Sequence, residues 1–346
     1  MTPVSTCPNR RILTTIFFRK LGVRVMAKHG KMTSTINENV TRACKITSAE
    51  KRRDDCPYKT RSKMHKVTSE VYTENEHISE KLGSGNAVTK FVFKCPSYMI
   101  DRESTPGMLN YDNDDDLDVD RDREGIISIE HSVSTELNLV GLQVWRGAFL
   151  LADYVLSHPD SFRNQIILEL GSGVGLTSIV ASYLAKEIIC TDINVGGILN
   201  LIKRNFLRNH KYVKSNYRIE EVNFLNVEWS KKLEERLQSA NIILAADVIY
   251  DDKITDGFVR TLTKLLRTKK NKTVYIALEK RYVFTVADLD TSAPMYEEFL
   301  QSVEKYKINW SVDYINIDFP RYFKYDRVKH MVLMKIQNNA RSIVYA

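Results

Sequence analysis

Glycines at alternate positions follow a short apolar run in the middle of the chain. Residues 165–170 read Gln-Ile-Ile-Leu-Glu-Leu, and Gly171, Gly173 and Gly175 come next, before an apolar helix pattern begins. Glycine permits backbone torsions that other residues avoid, and it lets a ligand lie against the main chain at a helix N-terminus. Leu176 stands where a dinucleotide fingerprint has its third glycine. The pattern predicts a strand, a ligand-binding turn and a helix, with a ligand other than a dinucleotide.

A carboxylate stands at the end of the next predicted strand. Asp192 follows the mostly apolar run Ile-Ile-Cys-Thr at 188–191. At the carboxyl edge of a sheet, one carboxylate can accept hydrogen bonds from both hydroxyls of a ribose. The alternative is that Asp192 caps the helix that follows it. We therefore predict a ribose-binding role for Asp192, with helix capping as the competing interpretation.

A later predicted strand at 242–246 is followed by Asp247 and Tyr250 in an Asp-x-x-Tyr arrangement. Methyltransferases that act on adenine or glutamine amino groups commonly carry two prolines between the acid and the tyrosine, and this sequence lacks both. Its motif resembles that of the protein-lysine methyltransferases among the seven-β-strand, S-adenosylmethionine-dependent enzymes. Gly-Leu-Gln-Val-Trp at 141–145 and Leu-Glu-Lys-Arg at 278–281 are also similar to patterns of this family.

The resemblance covers roughly residues 88–340 and implies that S-adenosylmethionine is the cofactor. By this resemblance Glu169 pairs with the amino-acid part of the cofactor, and Trp145 lines its pocket. Asn223 hydrogen-bonds the adenine ring and Phe224 covers it, with core packing as the alternative for Phe224. The implied substrate is a lysine in another protein, and the nucleic-acid-binding protein Kin is the candidate.

Transfer of a methyl group to lysine requires a neutral amine that is aligned with the reacting methyl. We predict that Asp247 orients the amine and that Tyr250 shapes the channel around it. A carboxylate also stabilises the ammonium form, so Asp247 is not assigned as a general base. Alternatively, Asp247 caps the next helix and Tyr250 is an ordinary edge aromatic. Glu279 and Arg281 are predicted to position the substrate backbone, or else to pair with each other.

The elements that position these residues alternate between strand and helix from Ile126 onward, which is typical of a mostly parallel sheet covered on both faces. The predicted fold class is α/β, a Rossmann-like, seven-strand class I S-adenosylmethionine-dependent methyltransferase. The last two predicted strands, at 310–317 and 331–336, have no helix between them. We expect them to pair as an antiparallel hairpin at one edge of the sheet.

The sequence predicts three parts. Residues 1–87 form a basic, disordered N-terminal extension, residues 88–135 hold the first strands with an acidic loop at 112–124, and residues 136–340 form the methyltransferase domain. The acidic loop lacks the Gly and Glu positions of a calcium-binding loop, so we predict a solvated surface loop. The five cysteines include no Cys-x-x-Cys pair, and neither a disulfide framework nor a metal site is predicted.

Positive charge is concentrated near the N-terminus. Residues 1–66 hold sixteen Lys and Arg against four acids, whereas the rest of the chain holds 35 against 39. A mildly acidic body repels a phosphate backbone and tolerates a basic peptide, so direct nucleic-acid binding by the catalytic domain is not expected. The longest apolar runs have the length of strands, and no membrane partner is predicted.

The N-terminal residues carry two signals for the cellular compartment. Lys-Arg-Arg at 51–53 and the family resemblance favour the nucleus, with the cytoplasm as a further location. Residues 1–37 contain no Asp or Glu, as in mitochondrial transit peptides, which makes the mitochondrion the alternative.

The rival functions are a catalytically weak S-adenosylmethionine-binding scaffold and an RNA or small-molecule methyltransferase. The intact glycine turn and Asp192 argue against the scaffold.

Overall fold

The computed structural model describes residues 66–74, 77–83, 85–99, 124–267, 271–285, 290–306 and 310–338. Within these ranges the strands, in chain order, are β1 Ile78–Lys81, β2 Asn86–Lys94, β3 Glu124–Ser132, β4 Ile166–Leu170, β5 Glu187–Asp192, β6 Asn216–Glu221, β7 Ile242–Ala246, β8 Thr273–Glu279, β9 Val283–Thr285, β10 Asp290–Ser292, β11 Trp310–Ile315 and β12 Met331–Asn338. The α-helices are α1 Val71–Glu74, α2 Arg146–Ser157, α3 Pro159–Phe162, α4 Leu176–Ala181, α5 Ile198–Arg208, α6 Lys231–Ser239, α7 Asp252–Leu266 and α8 Pro294–Lys305. Short 3-10 helices cover Ser97–Met99 and Leu137–Leu142.

Seven strands form the central sheet, in the spatial order β11-β12-β8-β7-β4-β5-β6. The five strands from β8 to β6 run parallel, whereas β12 pairs antiparallel with both β8 and β11. This arrangement confirms the predicted α/β fold with a mostly parallel sheet. The predicted hairpin is also confirmed, because β11 and β12 pair directly and β11 is the edge strand.

Both faces of the central sheet are buried, because successive strand residues point to opposite sides. On β4, Ile167 belongs to the core under α2, α4 and α5, while the next residue, Leu168, belongs to the core under α6, α7 and α8. Both side chains are fully buried. Continuous apolar runs such as that of β4 are what a strand covered on both faces requires. The carboxyl ends of the parallel strands therefore meet at one edge, where the predicted site residues stand.

A second, antiparallel sheet is formed by β1, β2 and β3 near the N-terminus. The strand at Ile126 was expected to open the alternating pattern of the main domain, but β3 pairs with β2 and is not part of the central sheet. The described structure also starts before the predicted boundary at residue 88, since Val67 and Val71 are buried and α1 and β1 precede that residue. Apolar residues before residue 88 are few and widely spaced, and distant parts of the chain bury them. The local pattern therefore does not reveal that this segment is ordered.

The free edge of β3 is covered by side chains of α5 and the loop after it. The backbone N–H groups of Glu130 and Ser128 donate to the amide oxygens of Asn205 and Asn209, at 2.7 and 2.8 Å. Both amide nitrogens donate back to the carbonyls of the same two strand residues. The Tyr212 hydroxyl accepts a further hydrogen bond from the backbone N–H two residues before Ser128 on the same strand. Side-chain amides thus replace a neighbouring strand and join the small sheet to the main domain.

Replacing Asn205 with alanine should lower the free energy of unfolding by about 2–4 kcal/mol, because it leaves the buried N–H and C=O of Glu130 without partners. Asn205 is fully buried and also donates to the Val174 carbonyl. Urea unfolding at fixed pH measures the loss. Asn200→Ala is the matched control, because Asn200 lies exposed on the same helix and should cost less than about 0.5 kcal/mol. Equal losses for the two variants would show that the amides do not hold the sheet in place.

One described stretch, Leu137–Ser157, satisfies the length and composition criteria of a membrane-crossing helix. Its most apolar window is 78% buried inside the fold. Core helices pass the same test, so the stretch is weak evidence for a membrane span. The predictions for residues 1–65 and for the acidic loop up to residue 123 lie outside the described residues.

Candidate active site

A cleft opens at the carboxyl ends of the central parallel strands. The residues predicted for the site line this cleft, with one exception, Gly175, which precedes α4 and is not among the lining residues. The lining residues from the prediction are Trp145, Glu169, Gly171, Gly173, Asp192, Asn223, Phe224, Asp247, Tyr250, Glu279 and Arg281. The structure therefore brings together residues that lie up to 136 positions apart in the sequence. The roles assigned to the individual residues stay predictions.

The glycine turn packs too closely against neighbouring residues to carry side chains. Gly171 and Gly173 have φ angles of +67° and +57°, which side-chain-bearing residues rarely adopt. A Cβ atom on Gly171 would lie 2.7 Å from the Val248 side chain, and one on Gly173 would lie 3.0 Å from the Gly141 carbonyl oxygen. Neither position therefore has room for a side chain, and both residues line the cleft, so their main chain can meet a ligand there. This geometry fits the cofactor that the family resemblance implies.

Asp192 connects the end of β5 to the glycine turn. One of its carboxylate oxygens accepts a bond of 2.7 Å from the Gly173 N–H, and the other accepts one of the same length from the Ile193 N–H. Burial raises the pKa of Asp192 to about 6. The capping alternative is wrong, because α5 begins five residues after Ile193 and has Gly197 as its N-cap. A ribose that bonds Asp192 would find its carboxylate already oriented by two backbone donors.

Glu169 is buried on β4 and faces both the cleft and α4. Its Oε2 accepts a hydrogen bond from the Ser178 hydroxyl on α4. Burial raises the pKa of Glu169 to about 7, well above the ordinary value for a glutamate. The side chain therefore ties α4 to the sheet, and a cationic group of a bound ligand would favour its ionised form.

Binding of S-adenosylhomocysteine should weaken as the pH falls below about 6, because Asp192 must be ionised to accept both ribose hydroxyls. Below its pKa the free protein holds a proton on Asp192 that binding must release, so this group alone should raise the dissociation constant about tenfold per pH unit. Glu169, whose pKa is about 7, should add to the dependence, which should vanish only above about pH 8. Titration calorimetry between pH 5 and 8 measures it. Asp192→Asn is the control and should bind weakly with a shallower slope below pH 6, because only the proton of Glu169 is then released. A natural protein whose slope below pH 6 is no steeper than that of Asp192→Asn would contradict the assignment.

The predicted adenine residues lie beside the glycine turn. The Phe224 ring would lie 3.7 Å from a Cβ atom on Gly171, and it also packs against Phe258 in the core. Asn223 lines the cleft and accepts a bond from the Leu225 N–H through its Oδ1. Phe224 thus serves the core and borders the cleft at once, so the two interpretations of this residue are compatible.

Asp247 fixes three segments at the centre of the cleft. Its Oδ2 accepts a bond of 2.6 Å from the Gly147 N–H in the first turn of α2, and its Oδ1 accepts one of 3.1 Å from the Glu279 N–H at the end of β8. The residue has a left-handed backbone with φ of +52°. Burial raises the pKa of its carboxyl group. The predicted alternative, a cap on the next helix, is wrong because Asp251 caps α7.

Gly147 is a site residue that sequence reasoning missed. A Cβ atom there would lie 2.6 Å from the Asp247 carboxylate and 3.0 Å from the Ala277 carbonyl oxygen. Only glycine therefore allows α2 to approach the carboxylate this closely. Glycine is unfavourable inside a helix, so its place in the first turn of α2 was a usable signal of close approach.

Tyr250 and the pair Glu279 and Arg281 form the rim of the cleft. Tyr250 is 38% exposed, and burial of the rest of its side chain raises the pKa of the phenol to about 12, so it stays protonated near neutral pH. Glu279 forms an ion pair of 2.6 Å with Arg146, while Arg281 lies 2.8 Å from Glu70. The nitrogen of Arg281 is 3.9 Å from the Glu279 carboxylate, so their mutual pairing is the weaker contact.

Comparisons with known proteins agree with this geometry. A family model described as lysine methyltransferase matches residues 124–305. Methyltransferase-like protein 22 of Mus musculus is 35% identical over 248 residues, which cover 64% of this chain and 63% of that protein. The protein of the same name from Homo sapiens is 35% identical over 232 residues, covering 61% and 57%. The protein-lysine N-methyltransferase EEF2KMT of Mus musculus is 26% identical over 211 residues, covering 58% and 59%.

The matches confirm the family resemblance that the motifs of the sequence indicated. Within the family, the combination of motifs at 141–145, 247–250 and 278–281 most resembles methyltransferase-like protein 22, and the matches confirm this likeness too. The chain spans less than two thirds of the length of these relatives. The family match, by contrast, covers more than half of this chain and includes the glycine turn, Asp192, Asp247 and the strands that carry them. The chain therefore belongs to the lysine methyltransferase family, a group of S-adenosylmethionine-dependent enzymes.

Proposed function

We propose that this protein is an S-adenosylmethionine-dependent protein-lysine N-methyltransferase. The observation that carries the proposal is the position of Asp247, whose carboxylate is held by two backbone N–H groups in the cleft that the Gly171–Gly173 turn also lines. A carboxylate fixed in this way stands where an incoming amine could be oriented toward a bound cofactor. The relatives named as protein-lysine methyltransferases support the same activity.

The cofactor would supply an electrophilic methyl group, and the protein must supply a neutral amine in the correct direction. Free lysine has a pKa of about 10.4, so most of it is protonated near neutral pH. Removal of the side chain from water lowers that pKa. Tyr250 and the buried Tyr296, which both line the cleft, could surround the alkyl chain of the lysine and exclude water from it.

Asp247 has a limited chemical role in this proposal. Each of its oxygens accepts one backbone bond and keeps a lone-pair direction for another donor. The carboxylate can thus hold an N–H of the amine and aim the nitrogen lone pair away from itself. A carboxylate also stabilises the ammonium form, so deprotonation depends on desolvation and not on Asp247 acting as a base.

We further propose that the substrate is a nuclear protein and that Kin is the first candidate. The Lys-Arg-Arg cluster at 51–53 supports a nuclear location, and Kin is the candidate that the resemblance of the sequence motifs implies. The mildly acidic body of the chain favours a substrate lysine with basic neighbours over a nucleic acid.

Purified protein, S-adenosylmethionine and purified Kin test the substrate directly, with mass spectrometry of Kin as the readout. The expected result is a methylated lysine that is absent when Asp247→Ala replaces the natural protein. In a second assay, cell extract is incubated with the protein and S-adenosylmethionine labelled in the methyl group. If treatment with ribonuclease removes the label, RNA is the substrate. If S-adenosylhomocysteine binds but no protein or RNA is methylated, the scaffold interpretation replaces this proposal.

A further inference from the structure

A segment outside the matched family domain contacts the active site. Val67–Tyr72, here called the N-terminal strap, precedes the matched residues 124–305 by more than fifty positions. Val67 exchanges two backbone hydrogen bonds with Thr135, of 2.8 and 3.0 Å. Tyr72 stacks on His131 with ring centres 4.2 Å apart. These contacts place the strap against the residues that lead into the cleft.

The N-terminal strap is bonded to the loop that immediately precedes α2. The Ser69 N–H donates to the Gln143 side chain at 2.8 Å, and the Ser69 hydroxyl donates to the Val144 carbonyl at 2.6 Å. The Val144 N–H in turn donates to the Tyr72 hydroxyl at 2.7 Å. Gln143 and Val144 both line the cleft and are buried. The strap therefore supplies hydrogen-bond partners for the Gln143 side-chain oxygen and for both backbone polar groups of Val144.

Glu70 extends this connection to the rim of the cleft. Its Oε1 lies 2.8 Å from Arg281, whose guanidinium is 5.2 Å from the centre of the Trp145 ring. Burial opposes ionisation of Glu70, but the charge and hydrogen bond of Arg281, with smaller contributions from the Glu70 backbone and Arg146, together outweigh it and lower the pKa of the carboxyl group. Its other oxygen, Oε2, is buried and has no hydrogen-bond partner among the described residues. A carboxylate oxygen buried in this way costs free energy, so stability alone does not account for Glu70.

We infer that the N-terminal strap completes the active site and that Glu70 is a positioning residue, which holds Arg281 over Trp145 for binding of the protein substrate. The inference rests on the proposed methyltransferase function. Arg281 shares its surroundings with three acids, Glu70, Glu279 and Asp247. Without Glu70, the guanidinium would move toward the other two and away from the position that the strap gives it.

Glu70 contacts Arg281 at the rim of the cleft, so we expect its loss to affect the protein substrate and not the cofactor. The cofactor side is held by its own contacts, such as those of Asp192 with Gly173 and of Glu169 with Ser178. Glu70 contacts neither set. The Trp145 ring, predicted to line the cofactor pocket, is held separately by a bond of 3.0 Å from its Nε1–H to the Val140 carbonyl, so displacement of Arg281 leaves it in place. Loss of its charge should therefore change turnover of the protein substrate and leave cofactor affinity nearly unchanged.

The test compares Glu70→Gln with the matched control Glu220→Gln in the full chain. The control breaks the Glu220–Arg236 pair, whose side chains are 22% and 30% exposed, against 23% and 22% for Glu70 and Arg281. Glu70→Gln should lower kcat/KM for the protein substrate by about tenfold or more, since small displacements of positioning groups have effects of that size. Its Kd for S-adenosylhomocysteine should stay within about twofold of the natural value. The control should change neither quantity, and Glu70→Asp should recover part of the activity.

A second readout requires no activity. Displacement of the Arg281 charge from the Trp145 ring should shift the tryptophan emission of Glu70→Gln, and the shift should be absent in a Trp145→Phe background and in Glu220→Gln. If the emission does not shift, or if kcat/KM equals that of the control while the natural protein is active, the inference is wrong. If the natural protein methylates nothing, the proposed function fails, and the emission alone decides whether Glu70 positions Arg281.

Discussion

Asp247→Ala should reduce methyl transfer by roughly a hundredfold or more, because the substrate amine loses the group that orients it. Asp247→Asn should be nearly as inactive, although it is usually a mild substitution. Both oxygens of Asp247 accept bonds from backbone N–H groups, those of Gly147 and Glu279. An asparagine must place its NH2 group against one of these donors, so one buried N–H loses its acceptor at a cost of about 1–3 kcal/mol.

The control for Asp247 is Asp251→Ala, four residues away. Asp251 caps α7 by accepting bonds from the N–H groups of Lys253 and Ile254, so its loss should cost about 1 kcal/mol of stability. Initial rates of methyl transfer and urea unfolding are measured for all three variants. Activity that falls only in proportion to the folded fraction, or an Asp247→Asn variant with near-natural rates, would overturn the assigned role of this carboxylate.

Gly173→Ala should weaken cofactor binding by tenfold or more, which corresponds to about 1.4 kcal/mol. The added methyl group would lie 3.0 Å from the Gly141 carbonyl oxygen, and the residue would keep an unfavourable φ of +57°. The backbone cannot give way cheaply, because the Gly173 N–H is bonded to Asp192. Relief of the clash would therefore displace the predicted ribose acceptor. The Kd for S-adenosylhomocysteine, measured by calorimetry, reports the loss.

Gly197→Ala separates the steric effect from backbone strain. Gly197 has a similar φ of +76°, but a Cβ atom there meets nothing within 4 Å. The substitution should cost about 1–2 kcal/mol of stability and leave the Kd unchanged. If both alanine variants bind the cofactor equally well, the turn at Gly173 is not the binding surface that its geometry indicates.

Local patterns in the sequence were sufficient to predict most of the fold. The apolar run of β4, the glycines after it and Asp192 at the end of β5 each depend on residues close together in the chain, and the structure places them as expected. The antiparallel edge hairpin followed from the absence of a helix between its strands. Parallel strands end at a common edge, so the positions of strand-end residues in one cleft could be inferred as well.

The features that the sequence did not predict depend on contacts between distant residues. Asn205 on α5 and Asn209 just after it look like ordinary polar residues, yet their amides replace a strand at the edge of β3. Glu70 lies 211 residues before its partner Arg281. Neither composition nor periodicity identifies such pairs, which explains why the ordered part of the chain was predicted to begin too late.

The most direct test of lysine methylation is the identity of the methylated amino acid. Cell extract is incubated with the purified protein and S-adenosylmethionine labelled in the methyl group, the labelled protein is hydrolysed completely, and its amino acids are separated. The account predicts that the label elutes with methylated lysine and is absent with Asp247→Ala. Label that elutes with another amino acid, or that ribonuclease removes before hydrolysis, would contradict it.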